Sequence, residues 1–460
     1  MMSRAKIVVL SIFLVVLAGC GRAGKQEAQP QAAQQPVRLV QSGDYGLPRA
    51  DPESLGLSAE KLAAIKTQLN TFVVQGKLPG FVVAVARDGK LAYFEAWGMR
   101  DVERAKPMTP DTIFRMRSMT KPITGAIVMM LVDAGKVSLD DPVSKYIPEF
   151  NDMKVLVEKR DGSTELVAAE RPITLKHLMT HTSGLVYDFD TGKLGELYRQ
   201  KYINENGDAG TSLEEFVKHV AALPLKCQPG KEWHYGINMD ILGRVVEVVT
   251  GRRYADFLQE NIFGPLRMID AAFYAPAAKA DRLAALYGPK EDTGGMTLIE
   301  DPAQSRFLKV PSQDEGGGGL VCTAGDYLRF AQMLLNGGEL DGVRILSAKA
   351  VAEMTSNQLP PELGDSPIHL SPFLPGVSFK GVGFGYCGAT PLDGAVNTYY
   401  GDEGEYTWGG RDSTDFWIDK KEGIVGMVLT QLRPTGTYAT RPMTHNGIKA
   451  AIVKSRAAGR

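Results

Sequence analysis

FRMRSMTKPITGAIVMMLVDAG, residues 114–135, is a stretch in which the hydrophobic period changes at Ser118. Phe114, Met116 and Ser118 alternate as residues of an extended segment do, whereas the apolar residues that follow recur at helical spacing. Pro122 fits the first turn of a helix, where a missing N–H costs little. The pattern therefore predicts an extended segment that ends at Ser118 and an apolar helix directly after it.

Ser118 and Lys121 lie three residues apart at the start of this helix, so their side chains share one face. A backbone N–H at a helix N-terminus has no intrahelical partner, and the helix dipole there favours developing negative charge. An ammonium held against an apolar helix is partly desolvated, which makes the amine easier to deprotonate. The pair thus meets the local requirements for an activated serine, although an exposed helix start that carries both residues by chance has the same pattern.

The composition limits the class of protein. The chain has 460 residues, 44% hydrophobic and 23% charged, which is typical of a globular protein with a sizeable core. Its formal net charge is -1, so no basic field indicates a nucleic-acid partner.

The N-terminus has the features of a secretory signal. Arg4 and Lys6 precede an apolar run over residues 7–17, which is too short for a transmembrane helix. The run ends in Leu17-Ala18-Gly19-Cys20, which resembles the cleavage box of bacterial lipoproteins. That resemblance implies a lipidated Cys20, anchored to a membrane by acyl chains. The alternative is a plain signal peptide with an incidental cysteine.

The same resemblance sets the expected location and boundaries. Gly21, where an aspartate would indicate retention in the inner membrane, implies the outer membrane of a bacterial cell envelope, facing the periplasm. Residues 1–19 are then the signal peptide. Residues 20–48, which are rich in Gln, Ala and Gly, form a flexible tether, and residues 49–460 form the folded domain.

The remaining cysteines indicate no special chemistry. Cys227, Cys322 and Cys387 are far apart and odd in number, so they form neither a complete disulfide framework nor a zinc spacing. We interpret them as small buried hydrophobic residues.

The two ends of the domain carry the strand signals. Asp88-Gly89 joins two β-rich runs as a hairpin, and residues 413–431 contain two more strands around a polar turn. Helices are predicted after Ser58, after Arg441-Pro442, and over residues 119–135, 174–181, 212–222, 238–250 and 323–336. This order predicts an α+β fold: one antiparallel sheet formed from the N- and C-terminal segments, flanked by helices, with a mostly helical inserted region.

Several motifs have structural interpretations. GFGYCG at 383–388 matches a dinucleotide-binding fingerprint, but no helix follows it, so its glycines indicate a bent strand. His177 and His181 lack the glutamate and third ligand of a zinc site. Thr323-x-x-Asp326 reads as a helix capping box. No G-x-S-x-G elbow occurs, and no cofactor or metal is expected.

The segment at 109–150, TPDTIFRMRSMTKPITGAIVMMLVDAGKVSLDDPVSKYIPEF, resembles the nucleophile region of the serine β-lactamase and penicillin-binding-protein superfamily. ITLKHLMTHTSGL at 173–185 and WGGRDSTDFWIDKKEGIVGMVLTQ at 408–431 continue the resemblance, which covers about residues 50–455. It is closest to the class C β-lactamase-like esterases, called family VIII carboxylesterases. The expected fold is the β-lactamase/transpeptidase-like fold.

The resemblance implies roles for three side chains. Ser118 is the nucleophile, Lys121 is its basic partner, and Tyr235 matches the tyrosine of the family's Y-x-N motif. A phenolate at Tyr235 would accept the serine proton and return it to the leaving alkoxide. The third motif position is Ile237, and Asn238 comes one residue late, so Asn238 is left out of the predicted catalytic set.

A second departure from the family concerns the substrate. Trp408-Gly409-Gly410 replaces K-T-G as the predicted substrate-binding strand, and the backbone N–H of Arg411 would complete an oxyanion hole with that of Ser118. Because the K-T-G lysine helps to hold substrate carboxylates, its loss favours a small neutral ester, although Arg411 could restore a positive charge.

The leading hypothesis is a serine hydrolase that cleaves short-chain carboxylic esters. The alternatives are a β-lactamase or a D-Ala-D-Ala carboxypeptidase/transpeptidase, and a non-catalytic binding protein of the cell envelope.

Overall fold

The structure is a computed structural model that describes residues 46–201, 210–290, 294–364, 367–368, 377–392 and 399–456. These residues fall in one compact unit. The predicted signal segment and most of the predicted tether, including Cys20, lie outside the described residues. Among the helices that the structure describes, none is both long and apolar enough to cross a membrane.

Strands and helices come in groups along the chain, with strands most frequent near its two ends and helices in its middle. The strands are β1 Gly80–Arg87, β2 Lys90–Asp101, β3 Lys106–Pro107, β4 Phe114–Arg115, β5 Lys154–Glu158, β6 Thr164–Ala168, β7 Leu286–Pro289, β8 Met296–Glu300, β9 Val321–Cys322, β10 Glu339–Leu340, β11 Val343–Arg344, β12 Val382–Phe384, β13 Ala389–Pro391, β14 Tyr406–Gly410, β15 Thr414–Asp419 and β16 Ile424–Leu429. The α-helices are α1 Ala59–Val74, α2 Thr120–Asp133, α3 Leu175–Met179, α4 Lys193–Gln200, α5 Leu213–Ala221, α6 Asn238–Thr250, α7 Tyr254–Leu258, α8 Ala324–Leu335, α9 Ala348–Met354 and α10 Thr440–Ala451.

The main sheet has eight strands in the order β12-β13-β14-β15-β16-β1-β2-β3. The neighbouring strands pair antiparallel, and β16 lies beside β1, so the two ends of the domain meet at the centre of the sheet. The hairpin between β1 and β2 turns at Asp88 and Gly89, whose φ angles of 55° and 74° suit a type I′ turn. The predicted α+β sheet built from both ends of the chain is confirmed.

Strand β1 shows how the sheet is covered on both faces. Its side chains alternate between two hydrophobic clusters because successive residues of a strand point to opposite faces. Phe81, Val83 and Val85 pack in one cluster with residues of α1 and α10, and Val82 and Ala84 pack in the other cluster, which includes residues of α2, α6 and α8. The functional site lies on this second, helical side of the sheet.

Two local predictions need correction or completion. Thr323 caps α8 as expected, since its Oγ1 accepts the Asp326 N–H at 3.2 Å. The Asp326 carboxylate, however, accepts the N–H of Asp270 at 2.8 Å, so it bonds a distant loop. The predicted helices are all present, and the five with predicted ranges agree within two residues at each end. Helices α4, α7 and α9 and the small hairpins of β5 with β6 and of β7 with β8 were not predicted.

Candidate active site

Ser118 lies in a single 3₁₀ turn, Arg117–Met119, directly before α2. Main-chain and side-chain bonds hold this turn in place: Met116 N–H donates to Leu320 O at 2.9 Å, and the Tyr327 hydroxyl donates to Met119 O at 2.9 Å. The short strand before the turn pairs with β9. The change of period read in the sequence therefore corresponds to a strand, a tight turn and a helix, with Ser118 half-buried at the turn.

Lys121 lies beside Ser118, as its position three residues later predicts. Its Nζ is 3.2 Å from Ser118 Oγ and donates to Gly317 O at 2.8 Å. The side chain is buried, with 1% of its surface exposed. The Lys121 amine is therefore directed at the serine by an acceptor that comes from a distant loop.

Tyr235 reaches the same serine from a different part of the chain. Its hydroxyl donates to Ser118 Oγ at 2.7 Å, and Lys121 Nζ is 4.7 Å from the centre of its ring. The structure thus brings all three predicted catalytic side chains together, and Ser118 Oγ accepts a hydrogen bond from both of the others.

Strand β14 forms the wall of the site opposite the α2 side. A Cβ at Gly410 would lie 2.4 Å from Met116 O, and a Cβ at Gly409 would lie 2.3 Å from Asp415 Oδ1, so only glycine permits this approach. The Thr414 hydroxyl also donates to Met116 O, at 3.2 Å. The strand that ends directly before the predicted oxyanion-hole residue Arg411 therefore packs against the turn of Ser118.

The cavity above Ser118 has a volume of about 70 Å³ and is lined mainly by aromatic rings. Arg411 and all three residues of the predicted substrate-binding strand line the cavity. The aromatic residues are Tyr187, Phe189, Tyr235, Tyr399, Tyr400 and Trp408.

Arg411 brings a positive charge to this wall. It is half-buried, and burial lowers its pKa to about 10, with a contribution in the same direction from Arg433. The guanidinium thus remains charged at neutral pH. Arg411 therefore offers one cation at the edge of a largely apolar cavity.

A buried ion-pair cluster next to the nucleophile was not predicted. Asp412 is fully buried and accepts hydrogen bonds from Arg117 Nε and Arg433 Nε, both at 2.7 Å. Burial alone would raise the pKa of Asp412, but the two guanidinium groups outweigh it and hold this pKa well below its usual range. Arg117 has a positive φ of 47° directly before Ser118, so the cluster holds an unusual backbone conformation at the site.

Asp240 is a second buried group that sequence reasoning missed. Its Oδ1 accepts the Gly317 N–H at 3.2 Å, while the carbonyl of the same glycine accepts from Lys121. Burial and the nearby Glu315 carboxylate together raise the pKa of Asp240 to about 7, although the Lys121 ammonium opposes the shift. The only sequence signal for Asp240 was its place in the first turn of α6, the helix that follows Tyr235.

The motifs that were interpreted as structural in the sequence analysis have structural roles in the described part of the chain. His177 Nδ1 accepts the Thr174 N–H in a capping box, and the glycines of GFGYCG fall in the hairpin of β12 and β13. Cys227, Cys322 and Cys387 are buried free thiols, as predicted.

The fold and the site together define a serine hydrolase of the β-lactamase/transpeptidase-like class. The chain belongs to the Beta-lactamase family, whose model matches residues 61–445. The predicted superfamily and enzyme class are therefore confirmed.

Three similar proteins illustrate the range of this family. Protein Rv1367c of Mycobacterium tuberculosis is 33% identical over 78% of this chain and 87% of its own length. Esterase EstB of Burkholderia gladioli is 32% identical over 83% of this chain and 93% of its own length. The solved structure described as EstCE1, a hydrolase with promiscuous acyltransferase activity, has a TM-score of 0.71 at 26% identity, over 88% of this chain and 99% of that chain.

Proposed function

We propose that this protein hydrolyses neutral, short-chain carboxylic esters through an acyl-enzyme on Ser118. The observation that carries the proposal is a serine hydroxyl bonded by both Tyr235 and Lys121 at the floor of a small aromatic cavity. The names of the relatives EstB, an esterase, and EstCE1, a hydrolase, support an ester as the substrate.

Acylation starts with attack of Ser118 Oγ on the ester carbonyl carbon. In the reactive state Tyr235 is a phenolate, which is stabilised by the Lys121 ammonium 4.7 Å from the centre of its ring. Its 2.7 Å bond with Ser118 then runs in the opposite direction, and the serine hydroxyl donates its proton to the tyrosine oxygen. The carbonyl electrons move onto oxygen, where the backbone N–H groups of Ser118 and Arg411 stabilise the negative charge. When the C–O bond breaks, Tyr235 returns the proton to the leaving alkoxide.

Deacylation repeats these steps with water as the nucleophile. Tyr235 takes a proton from the water, the C–O bond to Ser118 breaks, and the proton returns to Ser118 Oγ. One water is consumed, and one acid and one alcohol are released.

The lining of the cavity supports a short acyl group. Its aromatic side chains suit acyl chains of about C2 to C6 or aromatic groups. Trp408, which is 3% exposed, forms an apolar wall for them.

We expect short-chain p-nitrophenyl esters to be cleaved at least about tenfold better in kcat/KM than nitrocefin. A charge-assisted hydrogen bond from a carboxylate-binding lysine is worth about 1.5–3 kcal/mol, or about one to two decades in specificity. Without this lysine an anionic β-lactam loses an anchor, whereas a neutral ester loses nothing. Both substrates are measured on one preparation.

The alternative β-lactamase hypothesis has a defined signature in the same assay. Nitrocefin turnover equal to or above that of the best ester would indicate that Arg411 or another cation replaces the missing lysine. If the cation is Arg411, Arg411→Gln, which keeps the backbone N–H, would reduce nitrocefin turnover and leave ester hydrolysis in place. Stoichiometric labelling without turnover of any substrate would instead favour the non-catalytic binding protein.

We also propose that the protein is a lipoprotein, anchored to the outer membrane through Cys20. The proposal is supported by the Leu17-Ala18-Gly19-Cys20 sequence. Cys20→Ser is expected to abolish the incorporation of labelled lipid and to leave precursor or soluble protein. If the wild-type protein incorporates no lipid and its membrane retention does not depend on Cys20, the lipoprotein proposal is wrong.

A further inference from the structure

Asn238 belongs to a buried hydrogen-bond network rather than to the substrate cavity. Its Nδ2 is 2.7 Å from His181 Nδ1, and its Oδ1 accepts the hydroxyl proton of Ser183. Each of the three side chains has 0% of its surface exposed. We call Ser183, Asn238 and His181 the Asn238 network.

The directions of these bonds follow from one main-chain donor. Gly236 N–H donates to His181 Nδ1 at 3.4 Å, and a main-chain N–H can only donate. His181 Nδ1 is therefore an acceptor, and the ring proton is on Nε2. This fixes the Asn238 amide with Nδ2 towards His181 and Oδ1 towards Ser183. The Ser183 hydroxyl in turn accepts the Leu185 N–H at 3.0 Å.

His181 keeps this arrangement over the working range of pH. Burial, together with the Lys121 ammonium, lowers the pKa of His181 well below its usual range, so the ring stays neutral. Within the described residues, Nε2 has no hydrogen-bond partner, and the ring lies among the rings of Trp233, Tyr235 and Phe384.

His181 bonds the chain on both sides of Tyr235, through its main-chain carbonyl and through its ring. His234 N–H donates to His181 O at 2.9 Å, and Gly236 N–H donates to the His181 ring. The His181 ring is 4.8 Å from the Tyr235 ring. Backbone bonds at the preceding and following residues leave Tyr235 little freedom to move away from Ser118.

We propose that Asn238 is a positioning residue that acts through His181 to hold the Tyr235 hydroxyl against Ser118 Oγ. It orients the His181 ring, and His181 orients the segment that carries Tyr235. The proposal rests on the proposed catalytic role of Tyr235. In this proposal Asn238, which follows the position of the family's Y-x-N motif in the sequence, lies behind Tyr235 and away from the substrate.

The test is a double-mutant cycle between Asn238→Ala and Tyr235→Phe. In the wild-type background, Asn238→Ala is expected to lower kcat by about tenfold to a hundredfold, since a displacement of about 1 Å can cost that much. KM should change by less than about threefold. In the Tyr235→Phe background, Asn238→Ala should lower kcat by less than about twofold, because the tyrosine hydroxyl on which it acts is absent.

Thr444→Val is the matched control for loss of a buried polar group. Thr444 has 0% of its surface exposed and bonds Thr440 O in α10, on the other face of the sheet. It should change the melting temperature without lowering kcat. If Asn238→Ala does not fold, Ser183→Ala takes its place, since it removes one bond of the network.

The outcomes of the double-mutant cycle separate this inference from the proposed function. Equal losses in both backgrounds would show that Asn238 acts independently of Tyr235, which overturns this inference but not the proposed function. If Tyr235→Phe retains wild-type kcat, the proposed role of Tyr235 fails, and this inference fails with it. The rate of labelling by a fluorophosphonate gives the same comparison without an ester substrate.

Discussion

Ser118→Ala protein is expected to fold normally, to form no covalent adduct with a fluorophosphonate, and to lose ester hydrolysis by at least about 10⁴-fold. The physical reason is that Ser118 Oγ is the nucleophilic atom bonded by Tyr235 and Lys121. Normal folding is expected because Ser118 is half-buried and the turn is held by the bonds of its neighbours. Mass spectrometry of the labelled protein and circular dichroism check both parts.

Tyr235→Phe and Lys121→Met should each lower kcat by about 10²–10⁴, the usual size of general acid–base assistance. The double variant should lose little more than the worse single variant, because both groups serve the same proton transfer. Lys136→Met is the control, since Lys136 is an exposed lysine just after the same helix. Labelling of the Ser118→Ala protein at the wild-type rate would mean that the nucleophile lies elsewhere.

Asp412→Ala is expected to cost about 3–5 kcal/mol of the free energy of unfolding, as removal of one partner from a buried ion pair does. The change leaves the Arg117 and Arg433 guanidinium groups without their shared carboxylate. Because the pKa of Asp412 is held below its usual range, its contribution is complete above the unfolded-state pKa of about 3.9 and is lost as the pH falls through the folded-state value. The loss should therefore be constant between about pH 5 and 8.

Urea unfolding of the wild-type and Asp412→Ala proteins measures this difference. Asp281→Ala is the control, because Asp281 also pairs with two cations, Arg100 and Lys106, but its side chain is 69% exposed. Solvent screens such a pair, so little stability should be lost. Equal midpoints for the two variants would contradict the proposed importance of the buried cluster. Since Arg117 adjoins Ser118, fluorophosphonate labelling of Asp412→Ala protein should also be slower.

Much of the fold could be predicted because its signals are local. The hairpin at Asp88-Gly89 depends on turn residues with positive φ, and α2 depends on apolar residues at helical spacing. Helix α4 and the hairpin of β5 and β6 were missed since they are short, and much of their surface is exposed. Both segments are too short for a period to stand out in a window of about 11–18 residues.

The sequence by itself determined the neighbourhood of Ser118 and Lys121, because residues three apart on a helix share a face whatever the rest of the chain does. It also determined that β14 could approach this turn, since glycines stand where a Cβ would collide. Only the tertiary structure decided which distant groups complete the site. Tyr235 is 117 residues from Ser118, Gly317 O is 196 residues from Lys121, and Asp412 is 295 residues from Arg117. Such contacts depend on sheet register and helix packing, which no local period encodes. For the same reason the sequence could not predict that Asn238 points into a buried network with His181 and Ser183.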